Sequence, residues 1–204
     1  MSEELVLTDV QRDALKEIGN ICAGNAATVL SQLLNRKITI DVPRILIVPI
    51  EQVPNVVGGA ETMVAGLVLR VFGDIPNTIV FIFSQRDAKV LSSFMTGKTM
   101  TESKVITDIE RSALKEVGLI LANAYLGALS SFVGLGMVPA APELILDMAG
   151  AIVDYILIEL SCQSEYALLI ESEFTEPSAS VKGHFFIIPD PSGLEAMLTA
   201  IDKR

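Results

Sequence analysis

The chain has 204 residues, half of them hydrophobic, which suffices for one domain or two small ones at roughly 100–200 residues per domain. Its net charge of −10 argues against sequence-independent binding to nucleic acid, which needs clustered lysine and arginine to displace counterions from phosphates. The two cysteines, Cys22 and Cys162, form no C-x-x-C pair, and the single histidine, His184, leaves no cluster for a metal, so neither a disulfide framework nor a metal or cofactor of the chain's own is expected.

Thr8, followed three residues later by Gln11, has the spacing of a capping box and opens a long helix. Ile21, Val29, Leu30, Leu33 and Leu34 carry the helical pattern to Asn35. Lys37 to Ile40 begins extended structure, and Arg44 to Ile50 reads as a strand. Val64 to Phe72 and Thr78 to Phe83 read as two strands joined by the hairpin signal Gly73-Asp74-Ile75-Pro76-Asn77. Ser84 caps a helix from about Arg86 to Thr96, closed by Gly97. Thr107 and Glu110 repeat the capping box at the head of a second long helix. Glu143 to Leu157 holds Leu144, Ile145, Met148, Ala151, Ile152 and Tyr155 at helical spacing, which predicts a helix without a counterpart in the first half. Tyr166 to Phe174 and Val181 to Ile188 form a second hairpin, where His184 reads as structural, and Asp190-Pro191 opens a last helix.

The two capping boxes belong to an internal repeat. Residues 7–20 align with residues 106–119 with 8 of 14 positions identical and three more exchanging only Val, Ile or Leu, and the same offset pairs Pro43 with Pro142. The prediction is a single α/β domain over residues 1–204, built as α+β layers, with halves at about 7–105 and 106–204. It should have pseudo-twofold symmetry and an antiparallel-rich sheet flanked by two long symmetry-related helices.

Val117 to Pro142 runs 26 residues without a charge, long enough to span a bilayer. The run contains Asn123, Ser130, Ser131 and four glycines and ends in a Pro-Ala-Ala-Pro turn signal, so a buried helix is expected and no membrane insertion. No secretory leader pattern precedes the first acidic residues, and the cytoplasm is the expected location.

Few motifs carry chemistry. Thr96-Gly97-Lys98-Thr99 ends like a P-loop, but Ser92 stands where the pattern requires glycine and a helix precedes it where a strand should, so it reads as a helix end. Asp13, Glu17, Asn20 and Gly24 recur at i, i+4, i+7 and i+11 and therefore line one stripe of the first helix. Such a stripe is often merely solvated, but small residues abut this one and its Glu-x-x-Asn sits in the repeated segment.

Asp13-x-x-x-Glu17-x-x-Asn20, followed by 22 residues and Pro43, resembles the signature of the CheC/CheX/FliY chemotaxis phosphatases, and Lys16 to Thr28 is similar to the wording of that family around its site. The resemblance implies a long sheet flanked by two pseudo-symmetric helices, and hydrolysis of the aspartyl phosphate on the response regulator CheY, whose receiver domain carries Mg2+. It implies that Asn20 orients the attacking water, that Glu17 docks onto the receiver, and that Asp13 and Pro43 support the geometry. In the second copy Ser112, Glu116 and Pro142 hold the matching positions, but Leu119 replaces the asparagine, so that site departs from the pattern. Asn123 lies one turn, about 6 Å, too far along to replace it. The family also implies the receptor deamidase CheD as a partner, bound through Asp147, Met148, Ala149, Ala151 and Ile152. The rival reading is a non-catalytic adaptor that binds CheD, a receiver domain, or both.

Overall fold

The repeat signalled by the two capping boxes becomes two copies of one α/β unit. The computed structural model describes residues 7–97, 105–159, 165–177, 179–189 and 191–203. The first half runs α1 (Asp9–Leu34), β1 (Thr39–Pro49), a 3-10 turn (Ile50–Gln52) leading into α2 (Val53–Val56), β2 (Met63–Gly73), β3 (Asn77–Ser84) and α3 (Gln85–Thr96). The second runs α4 (Asp108–Val133), β4 (Met137–Pro139), β5 (Glu143–Met148), α5 (Ala149–Glu159), β6 (Tyr166–Glu176), β7 (Ala179–Pro189) and α6 (Pro191–Asp202). Cys162, Lys98, Thr99 and Asp190, with its expected helix-opening role, lie outside the described residues.

Both capping boxes form. The Thr8 hydroxyl accepts from the Gln11 N–H at 3.2 Å while Gln11 Oε1 accepts from the Thr8 N–H at 3.0 Å, and Thr107 and Glu110 repeat the exchange on α4. Ser84 caps α3, and Gly97 ends it in the left-handed conformation with φ 65.

Every strand pairing is antiparallel, in the order β1-β6-β7-β3-β2, with β4 and β5 sharing the outer edge of β2. Each half lends its leading strands to the other half's hairpin: β1 pairs with β6, whereas β4 and β5 pair with β2. The registers match between halves, for Arg44 opposes Glu171 as Glu143 opposes Val68, and Thr39 opposes Thr175 as Val138 opposes Phe72. The pseudo-twofold axis passes between β3 and β7, where Phe81 faces its own repeat mate Phe185, the rings stacked with centroids 4.7 Å apart.

Strand alternation sorts the apolar residues onto two faces. Leu67, Phe81 and Phe185 belong to the main core, shared with α1, α3, α4 and α6. Val68, Val80 and Phe186 face the other way, under α2 and α5. The two long helices therefore lie side by side on one face, where the Cys22 thiol donates to the Tyr125 carbonyl at 3.6 Å. Tyr125 reaches down to Phe185, centroids 4.4 Å apart, and its hydroxyl meets Ser172 Oγ at 3.0 Å. Among the described residues α4 is the one helix long and apolar enough to cross a membrane, yet Leu114, Val117, Leu121, Ala122, Tyr125, Leu126 and Leu129 spend its apolar side in this core.

One expected element is corrected. Glu143 to Met148 is a strand, and the helix begins only at Ala149. Leu144 and Leu146 pack on the α1/α4 side of the sheet while Ile145 packs on the other, and apolar residues on both faces of a strand mimic helical spacing. Nor is α5 without a counterpart, because the 3-10 turn and α2 follow β1 at the same repeat offset; the halves differ in the length of this helix.

Truncating either axial ring, Phe81→Ala or Phe185→Ala, should cost roughly 3–5 kcal/mol by denaturant unfolding. The double variant should lose less than the sum of the two, because the rings contact each other.

Candidate functional site

The exposed side of α1 is set by what the opposite side buries. Leu15, Ile18, Cys22, Ala26 and Leu30 point into the core, which turns Asp13, Glu17, Asn20 and Gly24 outward, all four exposed. Gly19, itself buried on that inner side of the helix, fixes how closely the helix approaches β1: a Cβ there would lie 3.1 Å from Ile45 Cδ1 and 3.3 Å from Val42 Cγ1. Those two residues bracket Pro43, and the β1–β6 pairing shifts register between Asp41 and Arg44 around it. Proline has no N–H for the ladder, so an irregularity is where a strand tolerates it. The helical turn that carries Glu17 and Asn20 on its outer side thus packs, through Gly19 on its inner side, against the β1 segment that contains Pro43.

Among the described residues no hydrogen bond or ion pair engages the side chains of Asp13, Glu17 or Asn20. A carboxylate and a carboxamide one turn apart therefore stand free on a rigid helix. The carboxylate can accept from a cation, and the amide can donate through NH₂ and accept through C=O at once. Beside them Val10 and Ile21, 66% and 48% exposed, add apolar surface on the Glu17 side of the helix. Of the apolar residues expected to continue the helix pattern, Ile21, Val29 and Leu33 face solvent, and only their repetition, not their direction, was legible. Two of the cavities lie elsewhere, one of about 670 Å³ between α4 and α6 and one of about 340 Å³ lined by Arg70, Thr78, Glu143 and Tyr155. The free polar pair sits on an open helix face, a shape suited to a protein surface.

Gly19 was missed as a positioning residue because its reason is steric and lies in β1, far along the chain. Gly24 is different: nothing lies within 4 Å of the position a Cβ would take. A glycine within a helix costs roughly 1 kcal/mol relative to alanine, and no contact inside the fold offsets that here.

In the second copy Ser112 and Glu116 are exposed, but Leu119 and Pro142 are half-buried, so Leu119 does not present the open surface that Asn20 does. Asn123 is exposed and donates its amide to the Leu119 carbonyl at 2.9 Å, folded back on its own helix. At the β5–α5 corner Asp147, Met148 and Ala151 are exposed, whereas Ala149 and Ile152 are fully buried and unable to touch a partner without rearrangement. Ile152 covers Gly66, where a Cβ would come within 2.9 Å of its Cδ1. Gly150 sits in the first turn of α5, its N–H donating to the Ala60 carbonyl at 2.9 Å, and a Cβ there would come within 3.2 Å of Ala60 Cβ.

His184 is on the sheet face opposite α1, in register with Glu171 and Ile82, and burial pushes its pKa below the ordinary imidazole range. It cannot serve a site on α1. Cys22, beneath the stripe, has its thiol pushed up to about 12 by burial and is not a nucleophile at neutral pH.

Fold and site together define an internally duplicated α+β protein with one antiparallel sheet and a free acid–amide pair on its first long helix. Solved structures share this fold: Thermotoga maritima FliY aligns with a TM-score of 0.79 at 20% identity over 98% of this chain and 99% of that one. A chain of the CheX–CheY–BeF3–Mg complex from Borrelia burgdorferi aligns with a TM-score of 0.52 at 15% identity over 85% of this chain and 96% of that one. The profile of the CheC-like family matches residues 10–47, the stretch from α1 into β1 that holds the motif. The Bacillus subtilis protein named CheY-P phosphatase CheC is 34% identical over 199 residues, covering 96% of this chain and 95% of that one. The chain belongs to the CheC family.

Burial of Cys22 is directly checkable. Iodoacetamide at pH 8 should spare Cys22 in the folded chain and modify it after denaturation, read by peptide mass mapping; alkylation at the rate of a free thiol would contradict the packing. Because burial pushes the folded thiol up to about 12, from 9.0 for an exposed thiol, its share of stability is full below pH 9 and is lost as pH rises toward 12.

Proposed function

We propose that this chain is a phosphatase of the aspartyl phosphate on a CheY-type receiver domain, with α1 as the docking helix, Asn20 orienting the attacking water and Glu17 pairing with a receiver lysine. The observation that carries this reading is the Glu17–Asn20 pair, exposed and without a hydrogen-bond or ion-pair partner among the described residues, on a helix seated on β1 through Gly19. The curated name of the Bacillus subtilis relative, which matches nearly the whole chain, supports it.

An aspartyl phosphate is an activated acyl phosphate, and phosphoryl transfer passes through a loose transition state that asks little of a base. The receiver's own Mg2+ and lysine belong to the substrate, so the partner's task is to place water in line with the P–O bond. Asn20 suits this because a carboxamide fixes a water's orientation through a donor and an acceptor without titrating. Water then adds to phosphorus, the P–O bond to the aspartyl oxygen breaks, and inorganic phosphate leaves the restored carboxylate. Glu17, one turn earlier, aligns the helix through a charge-assisted pair. Asp13 supports the geometry, as does Pro43, which lies at the irregularity of β1. No cofactor of the chain's own is invoked. In the second copy a leucine cannot orient water, and Glu116 without an amide three residues on leaves α4 non-catalytic.

The β5–α5 corner is the proposed contact for CheD. Asp147, Met148 and Ala151 would make it, while Ala149 and Ile152 hold the helix on the sheet. The corner lies on β5 and α5, whereas Asn20 lies on α1, so the two functions are separable by mutation.

The test is phosphate release from a phosphorylated receiver with and without the protein. Asn20→Ala should abolish most stimulated hydrolysis and leave receiver affinity nearly intact, whereas Glu17→Ala should reduce both. Asn20→Ala retaining more than about half of the wild-type rate would overturn the assignment, and unchanged affinity in Glu17→Ala would overturn its docking role. Asp147→Lys should remove CheD from a pull-down without changing phosphatase activity measured in its absence; retained CheD would leave α5 a packing element.

A further inference from the structure

We propose that Gly24 is a contact position of the phosphatase surface: its missing side chain lets the receiver backbone close against α1 one turn beyond Asn20. The inference rests on the function proposed above. Two glycines interrupt the middle of α1, and the fold explains only one. Gly19 fits against Ile45 and Val42, whereas a Cβ at Gly24 would meet nothing and the position is exposed. Gly24 follows Asn20 by four residues, so it lies about 6 Å farther along the same stripe, within the footprint of any partner that reaches Glu17 and Asn20 together.

The Thr28 hydroxyl donates to the Gly24 carbonyl at 2.8 Å, the ordinary back-bond of a helical threonine, so the bared backbone carries no unused acceptor of its own. The second long helix provides a built-in comparison. Gly127 on α4 is likewise exposed with nothing near its Cβ position, follows an exposed asparagine, Asn123, by one turn, and has its carbonyl bonded by Ser131 Oγ at 2.8 Å. The local helix is thus the same, but no glutamate stands three residues before Asn123, where Ile120 is found. Any effect of a side chain at Gly24 that is absent at Gly127 belongs to docking and not to the helix.

The experiment compares Gly24→Ala, Gly24→Leu, Gly127→Ala and Asn20→Ala in thermal unfolding and in steady-state dephosphorylation of a phosphorylated receiver. Both alanine substitutions at glycine should raise Tm, by roughly 2–4 °C, because helix propensity improves with no clash. Gly24→Ala should nonetheless lower kcat/KM at least about 10-fold, mainly through KM, with Gly24→Leu lower still, while Gly127→Ala keeps the wild-type rate. A Gly24→Ala variant within about twofold of wild type, alongside an inactive Asn20→Ala, would overturn the contact role and leave the function standing. If the wild-type chain itself failed to accelerate dephosphorylation, the function would fall and this inference with it.

Discussion

The pairing of β3 with β7 is the constraint on which the rest of this protein depends. It joins two hairpins that would otherwise be separate half-sheets, and it does so in the one register that places Phe81 on Phe185, each the repeat mate of the other. A sheet closed around that axis must carry symmetry-related elements on the same face. Hence α1 and α4 lie side by side over Leu67, Phe81 and Phe185, and each has one buried side and one solvent side. The exchange of leading strands obeys the same symmetry, β1 pairing with the outer edge of β6 as β5 pairs with the outer edge of β2.

On the proposed reading, that geometry puts the chemistry on a helix face and not in a pocket. With its apolar side committed to the core, α1 presents Glu17 and Asn20 on a convex surface, and Gly19 holds that surface at a fixed distance from β1. A site of this kind is incomplete by itself. In the proposed reaction it would supply an amide and a carboxylate in a fixed relation and leave the phosphoryl group and its surroundings to the partner. The economy of the arrangement fits the loose transition state of phosphoryl transfer, in which placement outweighs acid–base strength.

Duplication gave two copies of the scaffold that have drifted apart only where the scaffold permits it. The capping boxes, the strand registers and the axial rings are kept in both halves, each tied to its neighbour by packing or hydrogen bonds. At the motif position the copies differ: Leu119 stands where the first copy has Asn20, and it is half-buried where Asn20 is exposed. The helix after the leading strand likewise differs, short in α2 and long in α5, where Ile152 and Val153 cover the second face of the sheet and Asp147 and Met148 stand at its corner.

Much of this was legible in the chain itself, because it is local or periodic. The repeat, the capping boxes, both hairpins and the stripe of Asp13, Glu17, Asn20 and Gly24 are fixed by spacing along one helix or strand, and spacing is what a sequence records. Where apolar residues served two faces the pattern misled, making a helix of the strand Glu143–Met148. Other properties belong to contacts between residues distant in the chain and were decided only by the tertiary structure. Gly19 is needed because Val42 and Ile45 come within a methyl group's reach, Ile21 is exposed because Cys22 is taken by Tyr125, and Ala149 and Ile152 are buried because β2 runs beneath them. Sequence periodicity determines which residues share a face; which face meets solvent is settled by the burial of the competing faces, and that is a property of the packed sheet alone.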